Sequence, residues 1–224
     1  MVASGRAACV RNMTPGAKLM KQVDFFYFFG SVYAYLSVMR IGGLAAAAGV
    51  SIRWRPFNVR TVMKENNVAL RTEALKVPYM WRDIERRAAT HGLQFQPPPV
   101  WPTDPELLHN LIGTLAAAEG WGEVFTVSSF RAWIVDRMAL GEMPTIEKVL
   151  QPLGKDPHST IARAKSAATQ KLYADETEAA RSFGIFGSPS FVVDGELFWG
   201  DDRLEEAIAW AKGEHALQRA TAKA

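Results

Sequence analysis

The stretch VDFFYFFGSVYAYLS, residues Val23–Ser37, decides the fold and is called the Ser31 motif below. Its aromatic and β-branched first half predicts a buried strand over Gln22–Phe29. A glycine-serine turn then supplies the N-cap of a helix over Val32–Ala48, and the alternating residues of Val50–Phe57 predict a second strand. The segment is therefore a β-α-β unit, with Ser31 at the carboxyl end of the first strand, where α/β folds place their ligands.

A second stretch, FGIFGSPSFVVDGELFWGDDRL over Phe183–Leu204, returns to β structure and is called the Pro189 motif. Two short strands, Ser190–Val193 and Glu196–Trp199, flank an Asp-Gly pair that is typical of a two-residue hairpin turn. A helix follows over Asp201–Lys212. The chain thus ends in a ββα unit.

The middle of the chain is helical, because prolines in first turns and glycines after last turns recur along it. These signals predict five helices, over Pro78–Gly92, Pro105–Gly120, Trp121–Gly141, Thr145–Gly154 and Pro157–Gly184. The order of elements predicts an α/β domain that carries a helical subdomain.

Composition excludes several classes of function. The chain has 224 residues, of which 48% are hydrophobic and 22% charged, as in an ordinary globular protein. A single cysteine, Cys9, excludes an internal disulfide, a Cys-x-x-Cys redox pair and a multi-cysteine zinc site. We expect no metal centre, because the histidines are too dispersed for the usual zinc motifs: His91, His109, His158 and His215.

The net charge of +3 comes from the amino-terminal end. Four basic residues precede the first acid, Asp24, and the two signs balance over the rest of the chain. Without a basic stripe in the body of the protein, we expect no nucleic-acid partner.

The basic, acid-free start invites targeting interpretations. An uncharged run over Phe25–Met39 and a later Ala-x-Ala resemble a secretory signal, but glycine and serines interrupt the run and it is short for a membrane span. There are two other interpretations. One is a start codon assigned upstream of the natural one, with Met20 as the true beginning, and the other is a mitochondrial presequence. We predict a cytoplasmic protein without a membrane partner.

A set of polar residues at helical spacing lies between the two motifs: Lys76, Tyr79, Asp83 and Arg86. Together with the Ser31 and Pro189 motifs, this set resembles the 2-hydroxychromene-2-carboxylate isomerase family. This family is close to kappa-class glutathione transferases and has a DsbA-like thioredoxin fold. The resemblance covers roughly residues 20–212. It implies a thioredoxin-like part (residues 21–62 and 183–213) and an all-helical insertion (residues 63–182), between a flexible basic tail (1–20) and a carboxyl-terminal tail (214–224).

The resemblance implies that the Ser31 hydroxyl hydrogen-bonds the sulfur of bound glutathione, whose thiolate is the nucleophile. The physical basis is that a donor at the positive end of a helix lowers the pKa of a thiol. The alternative is that Ser31 is only a helix cap. No cysteine stands at this helix start, so disulfide exchange by the chain itself is excluded here.

Ser188 and Pro189 form the second expected contact with glutathione. The resemblance implies a cis Pro189 that faces the start of the first helix, so that the main chain of Ser188 pairs with the cysteinyl residue. The alternative is a plain start of an edge strand. The γ-glutamyl end is expected at the motif of Trp199, Gly200, Asp201 and Asp202, and the sequence leaves open which aspartate makes contact.

Three residues fall near the family's substrate contacts, namely Lys64, Arg71 and Trp101. The family's Asn-Arg pair is matched here by Leu70-Arg71, so this part of the resemblance is weaker. Solvated charge and packing are the alternative roles of all three. For the polar set that begins at Lys76, we prefer an ion-paired helix face to a catalytic role.

These expectations combine into a glutathione-dependent isomerase of an aromatic carboxylate, with glutathione as cofactor and a homodimer as assembly. Two rivals stay open. One is a kappa-like glutathione transferase or peroxidase, and the other is a non-catalytic thioredoxin-like module that binds peptides.

Overall fold

The computed structural model describes residues 21–68 and 75–221, so the predicted tail over 1–20 lies outside the described residues. One mixed sheet has the strand order β2-β1-β3-β4. Its strands are β1 (Gln22–Tyr27), β2 (Ser51–Pro56), β3 (Ser190–Val193) and β4 (Glu196–Trp199). Strand β1 pairs in parallel with β2 and antiparallel with β3, and β3 pairs antiparallel with β4. The α/β fold, with its βαβ and ββα units and a helical insertion, is confirmed.

Ten α-helices surround the sheet in the described residues: α1 (Val32–Ala48), α2 (Val59–Glu65), α3 (Lys76–Thr90), α4 (Leu108–Ala118), α5 (Gly122–Ile134), α6 (Met143–Leu150), α7 (Pro157–Ala164), α8 (Ala167–Ser182), α9 (Leu204–Lys212) and α10 (Ala216–Thr221). A 3-10 turn, Asp201–Arg203, precedes α9. Helix α2 crosses the predicted boundary between residues 62 and 63, and α10 lies in the predicted carboxyl-terminal tail. Across the part of the chain described here, none of the helices combines the length and apolarity that a membrane crossing requires.

The thioredoxin-like part and the helical insertion share one core on one face of the sheet. Phe25 and Tyr27 from β1 belong to the same buried cluster as Phe125 and Trp133 from α5. Side chains of a strand alternate between faces, so Phe26 joins a smaller cluster on the other face. The insertion is therefore packed against the sheet rather than tethered to it by a linker.

The predicted helix start at Pro105 is wrong. Helix α4 begins at Leu108, after Asp104 with a positive φ of 53°. The Asp104 carboxylate reaches forward instead, with Oδ1 accepting from the N–H of Leu108 (2.8 Å) and Oδ2 from that of His109 (2.9 Å). This carboxylate caps the helix from four residues upstream, a spacing that ordinary cap rules do not anticipate.

Two predicted helices were too long. The helix that starts at Pro157 stops at Ala164, and Ser166 begins a new one because its hydroxyl accepts from the N–H of Thr169 (3.4 Å). Helix α5 ends at Ile134 rather than at residue 141, and Arg137 follows it with a positive φ of 58°.

Candidate active site

The candidate site lies where the loop between β1 and α1 meets the loop that enters β3. Strand β1 ends at Tyr27, two residues earlier than predicted, so Phe28–Ser31 form a separate segment, called the Ser31 loop. Ser31 has extended backbone angles and caps α1, accepting from the N–H of Ala34 (3.4 Å). The first turn of α1 holds no acidic residue, so no local carboxylate offsets the positive end of its dipole.

Ser188 joins the two loops. The Ser31 hydroxyl donates to the carbonyl oxygen of Ser188 (2.9 Å), and the Ser188 hydroxyl accepts from the N–H of Phe28 (3.0 Å). The Ser188–Pro189 peptide bond is cis, as expected from the sequence. The structure thus brings Ser31, Ser188 and Pro189 together at the start of α1.

The Trp199–Gly200 corner stands beside this junction. The carbonyl of Pro189 accepts from the N–H of Gly200 (3.0 Å), which ties the corner to the cis bond. Trp199 is 45% exposed, and its ring lies 4.7 Å from that of Phe186. A Cβ on Gly187 would lie 2.3 Å from Nε1 of Trp199, so the indole occupies space that a larger residue at position 187 would need.

The two aspartates of the corner differ in burial and in the number of their hydrogen-bond donors. The carboxylate of Asp201 is buried, and it accepts from Arg40 (2.8 Å), from Arg87 (2.7 Å) and from the Ser37 hydroxyl (2.9 Å). Asp202 is about half exposed, with Arg203 3.4 Å away. Asp202 is thus the more accessible of the two carboxylates, while the choice of the aspartate that contacts glutathione stays a prediction.

Of the three predicted substrate residues, the structure describes Trp101 and Lys64. The Nε1–H of Trp101 donates to the carbonyl of Gly30 (3.2 Å), which puts this indole against the Ser31 loop. Lys64 is exposed in the last turn of α2, and among the described residues no hydrogen bond or ion pair joins its side chain to that loop. Arg71 lies outside the described residues.

The polar set of α3 forms the ion-paired face that we preferred. Arg86 contacts Asp83 (3.2 Å) and stacks over the ring of Tyr79 at 5.7 Å. Asp83 also accepts from the hydroxyl of Tyr33 (3.0 Å), two residues after Ser31. This contact fastens α3 to the start of α1, so the set has a structural role in placing the insertion over the site.

Two residues near the site were missed from the sequence. Arg60 donates to the carbonyls of Thr103 and Asp104 and lies 4.9 Å from the ring of Phe28, at the wall of a cavity of about 520 Å³. Asn110 of α4 hydrogen-bonds both the N–H and the carbonyl of Phe29. Neither carries a local signal, because its hydrogen-bond partners are 40 or more positions away.

His109 lies beneath the Ser31 loop but has no acid–base role near neutral pH. It is fully buried, its ring centroid is 6.0 Å from that of Phe29, and its Nδ1 accepts from the N–H of Gly141 (2.8 Å). Burial lowers the pKa of His109 to about 3. The imidazole is therefore neutral and belongs to the packing under the loop.

Comparison with known proteins identifies the family and the fold of the chain. The family model of the DSBA-like thioredoxin domain matches residues 22–208. A 2-hydroxychromene-2-carboxylate isomerase of Pseudomonas sp. (strain C18) is 30% identical over 200 residues, which is 84% of this chain and 91% of that protein. One from Sphingobium xenophagum is 26% identical over 195 residues, 84% of this chain and 96% of that protein. A solved 2-hydroxychromene-2-carboxylate isomerase superposes with a TM-score of 0.76 at 27% identity, covering 90% of this chain and 98% of the other.

Proposed function

The chain belongs to the 2-hydroxychromene-2-carboxylate isomerase family, with the fold of the DSBA-like thioredoxin domain, and we propose that it is a glutathione-dependent isomerase of an aromatic carboxylate. The observation that carries the proposal is the hydroxyl of Ser31 at the start of α1, 2.9 Å from the carbonyl of Ser188 beside the cis bond. This arrangement offers a hydroxyl donor, a helix dipole and an extended main chain to one thiol-bearing peptide.

Glutathione would lie along the cis bond, from the Ser31 loop to the Trp199–Gly200 corner. Its cysteinyl N–H would donate to the carbonyl of Ser188, which has a second lone pair available. Its γ-glutamyl amino group would pair with the accessible carboxylate of Asp202, and the γ-glutamyl carboxylate would meet N–H groups at the start of the turn before α9. The geometry supports Asp202 for this contact, because Asp201 already has three donors.

Ser31 would activate the thiol. Its hydroxyl hydrogen would turn from the Ser188 carbonyl to the sulfur, and a hydrogen bond to the charged form favours the thiolate. The positive end of α1 acts in the same direction. Both effects lower the pKa of the bound thiol and raise its thiolate fraction at neutral pH.

The thiolate then adds to a conjugated carbon of the substrate. The former double bond becomes a single bond and rotates, and elimination of the thiolate restores the double bond in the isomerised product. The electron pair that formed the carbon–sulfur bond returns to sulfur, so glutathione is regenerated. The Trp101 ring would form the flat wall beside the reacting carbons, and we keep Lys64 and Arg71 as the proposed cations for the substrate carboxylate.

Ser31→Ala tests the proposal. A hydrogen bond to a charged group contributes roughly 1.5–3 kcal/mol, so the variant should raise the pKa of bound glutathione by about 1–2 units, measured by thiolate absorbance against pH. Turnover should fall more than glutathione affinity. Ser182→Ala, which removes an exposed hydroxyl at the end of α8, is the matched control and should leave the titration unchanged. A Ser31→Ala titration that coincides with wild type would contradict the assignment.

Product analysis separates the rivals. An isomerase returns glutathione and gives a product of unchanged mass, whereas a transferase leaves a glutathione adduct and a peroxidase leaves oxidised glutathione. A peptide-binding module would show neither turnover nor a thiolate at Ser31. The resemblance also supports a homodimer, which light scattering in solution tests directly.

A further inference from the structure

The Ser31 loop is held by side chains rather than by the sheet. Strand β1 ends at Tyr27, and the N–H of Phe28 already donates to a side chain, the hydroxyl of Ser188. The next peptide group, at Phe29, is held by Asn110. Asn110 lies on α4, so the helical insertion reaches into the loop that carries the reacting hydroxyl.

Asn110 contacts both polar groups of one residue. Its Oδ1 accepts from the N–H of Phe29 (3.1 Å), and its Nδ2 donates to the carbonyl of Phe29 (3.4 Å). Asn110 is fully buried, so water cannot take over either contact if the amide is removed. These two bonds fix the chain two residues before Ser31.

Helix α4 also fixes the side chain of Phe29. A Cβ on Gly113 would lie 2.4 Å from Cε2 of Phe29, so the ring rests directly on the backbone of α4. The ring is fully buried, with Phe125 and Phe130 at centroid distances of 5.7 and 5.5 Å, and it has no free space into which it can swing. Backbone and side chain of Phe29 are thus set by the same helix turn.

Helix α4 is itself firmly placed. The carboxylate of Asp104 caps its first turn, and the helix packs against β2, α5, α7 and α8. One turn after Asn110, the hydroxyl of Thr114 donates to the carbonyl of Asn110 (2.9 Å), and among the described residues it has no hydrogen bond to the loop. Asn110 also hydrogen-bonds the Asp104 carboxylate, so a change at Asn110 alters both the Ser31 loop and the cap of α4, whereas a change at Thr114 alters a hydrogen bond within α4.

We propose that Asn110 is a positioning residue that sets the place of Ser31 relative to the start of α1 and the carbonyl of Ser188. The contacts are those of the helical insertion, so the insertion determines the reactivity of a group that belongs to the thioredoxin-like part. The catalytic meaning of this role rests on the proposed function, but the positioning itself does not.

A single thiol placed at position 31 measures the positioning without glutathione. In a Cys9→Ser, Ser31→Cys protein, only one thiol is present, and the start of α1 should hold its pKa well below 8.5. Adding Asn110→Leu should raise the pKa of that thiol by about 1 unit, because the thiol moves away from the helix start. Gly113→Ala should shift it in the same direction, since the added methyl group pushes the Phe29 ring.

Thr114→Val is the matched control, because it also removes a buried hydrogen bond from α4 but keeps both hydrogen bonds between Asn110 and Phe29. Its thiol pKa should equal that of the parent. An Asn110→Leu thiol that titrates with the Thr114→Val thiol, in proteins with native circular dichroism, would overturn the proposal. Should Asn110→Leu fail to fold, Gly113→Ala decides in its place: a shifted thiol pKa supports the proposal and an unshifted one overturns it.

Kinetics with glutathione separate this inference from the proposed function. In the chain with Ser31 intact, Asn110→Leu should lower kcat about tenfold to a hundredfold, because a small misplacement of a reacting group is costly. The KM for glutathione should change less, since Ser188 and Asp202 are unaltered. If wild-type protein forms no glutathione thiolate, the proposed function fails, while the pKa of the Ser31→Cys thiol still decides the role of Asn110.

Discussion

The thioredoxin-like part and the helical insertion both hold the Ser31 loop, but they do so with different chemistry. The thioredoxin-like part offers protic groups that a ligand can also use, as in the bond from Ser31 to the carbonyl of Ser188. The insertion offers neutral donors and acceptors, the amide of Asn110 and the indole of Trp101, which hydrogen-bond backbone groups of the loop. The proposed reacting group, the hydroxyl of Ser31, thus comes from one region, and contacts from the other region help to place it.

Charge joins the two regions at a different place. Arg87 of α3, in the insertion, reaches Asp201 of the thioredoxin-like part, and Arg40 of α1 reaches the same carboxylate. Burying charge is costly, so the cluster depends on the hydrogen bonds that Asp201 accepts from the two arginines. This difference predicts that the ionic contact mainly sets the free energy of unfolding, whereas the neutral contacts mainly set the position of the Ser31 loop.

The largest expected effect is at Asp201. Replacing it with alanine removes the carboxylate that Arg40 and Arg87 share and leaves Arg40, among the described residues, with only the half-exposed Glu205 as a carboxylate partner. Breaking a buried pair in this way costs up to about 3–5 kcal/mol. We expect the free energy of unfolding, measured in urea, to fall by about that amount. An intact unfolding midpoint would show that the contact between the two regions does not depend on this charge.

Asp202→Ala is the neighbouring control. Its side chain is about half exposed and its contact with Arg203 is at 3.4 Å, so the free energy of unfolding should change by less than about 0.5 kcal/mol. Glutathione affinity, followed by calorimetry, should fall clearly in this variant. The reverse pattern, with affinity lost only at Asp201, would move the γ-glutamyl contact to the buried aspartate.

The second prediction concerns the neutral packing under the loop and uses pH. Burial lowers the pKa of His109 from 6.5 to about 3. Below pH 6.5 the unfolded chain binds a proton that the folded chain refuses, so the free energy of unfolding falls as the pH drops from 6.5 towards 3. At about 1.4 kcal/mol per pH unit, the loss from this group should be about 2 kcal/mol between pH 8 and pH 5.

His109→Asn isolates this contribution. The asparagine oxygen can replace Nδ1 as acceptor for the N–H of Gly141, but the side chain does not titrate. The slope of unfolding free energy against pH should therefore be flatter in the variant by about 2 kcal/mol over the same interval, whatever its absolute stability. Parallel slopes in the two proteins would mean that His109 binds its proton as readily in the folded chain as in the unfolded chain.

The fold was largely predictable from the sequence because its signals are local. The alternation in Val50–Phe57, the Asp-Gly turn before β4 and the cap at Ser31 each depend on neighbouring residues. The errors have the opposite cause. The cap of α4 is Asp104, four residues upstream with a positive φ, and the break at Ser166 comes from a side chain that competes for the backbone.

The candidate site divides in the same way. The residues of the Ser31 and Pro189 motifs could be named because each motif is contiguous, and the structure places Ser31, Ser188 and Pro189 together. Asn110 could not be named, because its partner is 81 positions away and asparagine inside a helix has no distinctive pattern. The choice between Asp201 and Asp202 likewise depends on burial by distant helices.

The smallest expected effect concerns Trp101, which separates the two roles of the insertion at the site. Its Nε1–H holds the carbonyl of Gly30, while its ring is the proposed wall for the substrate. Trp101→Phe removes the hydrogen bond to Gly30 and keeps most of the aromatic face. Gly30 is partly exposed, so water can replace the donor, and the free energy of unfolding should fall by only about 0.5–1 kcal/mol.

The kinetic outcome of Trp101→Phe then sharpens the comparison. If the indole N–H of Trp101 positions the Ser31 loop, kcat should fall in Trp101→Phe. The KM for the aromatic carboxylate should stay near that of wild type, because an aromatic face remains. Trp101→Leu is the partner variant, since it removes both the N–H and the aromatic face, and its KM should rise as well. A raised KM with unchanged kcat in Trp101→Phe would mean that the indole serves the substrate directly and that the insertion positions the Ser31 loop through α4 rather than through Trp101.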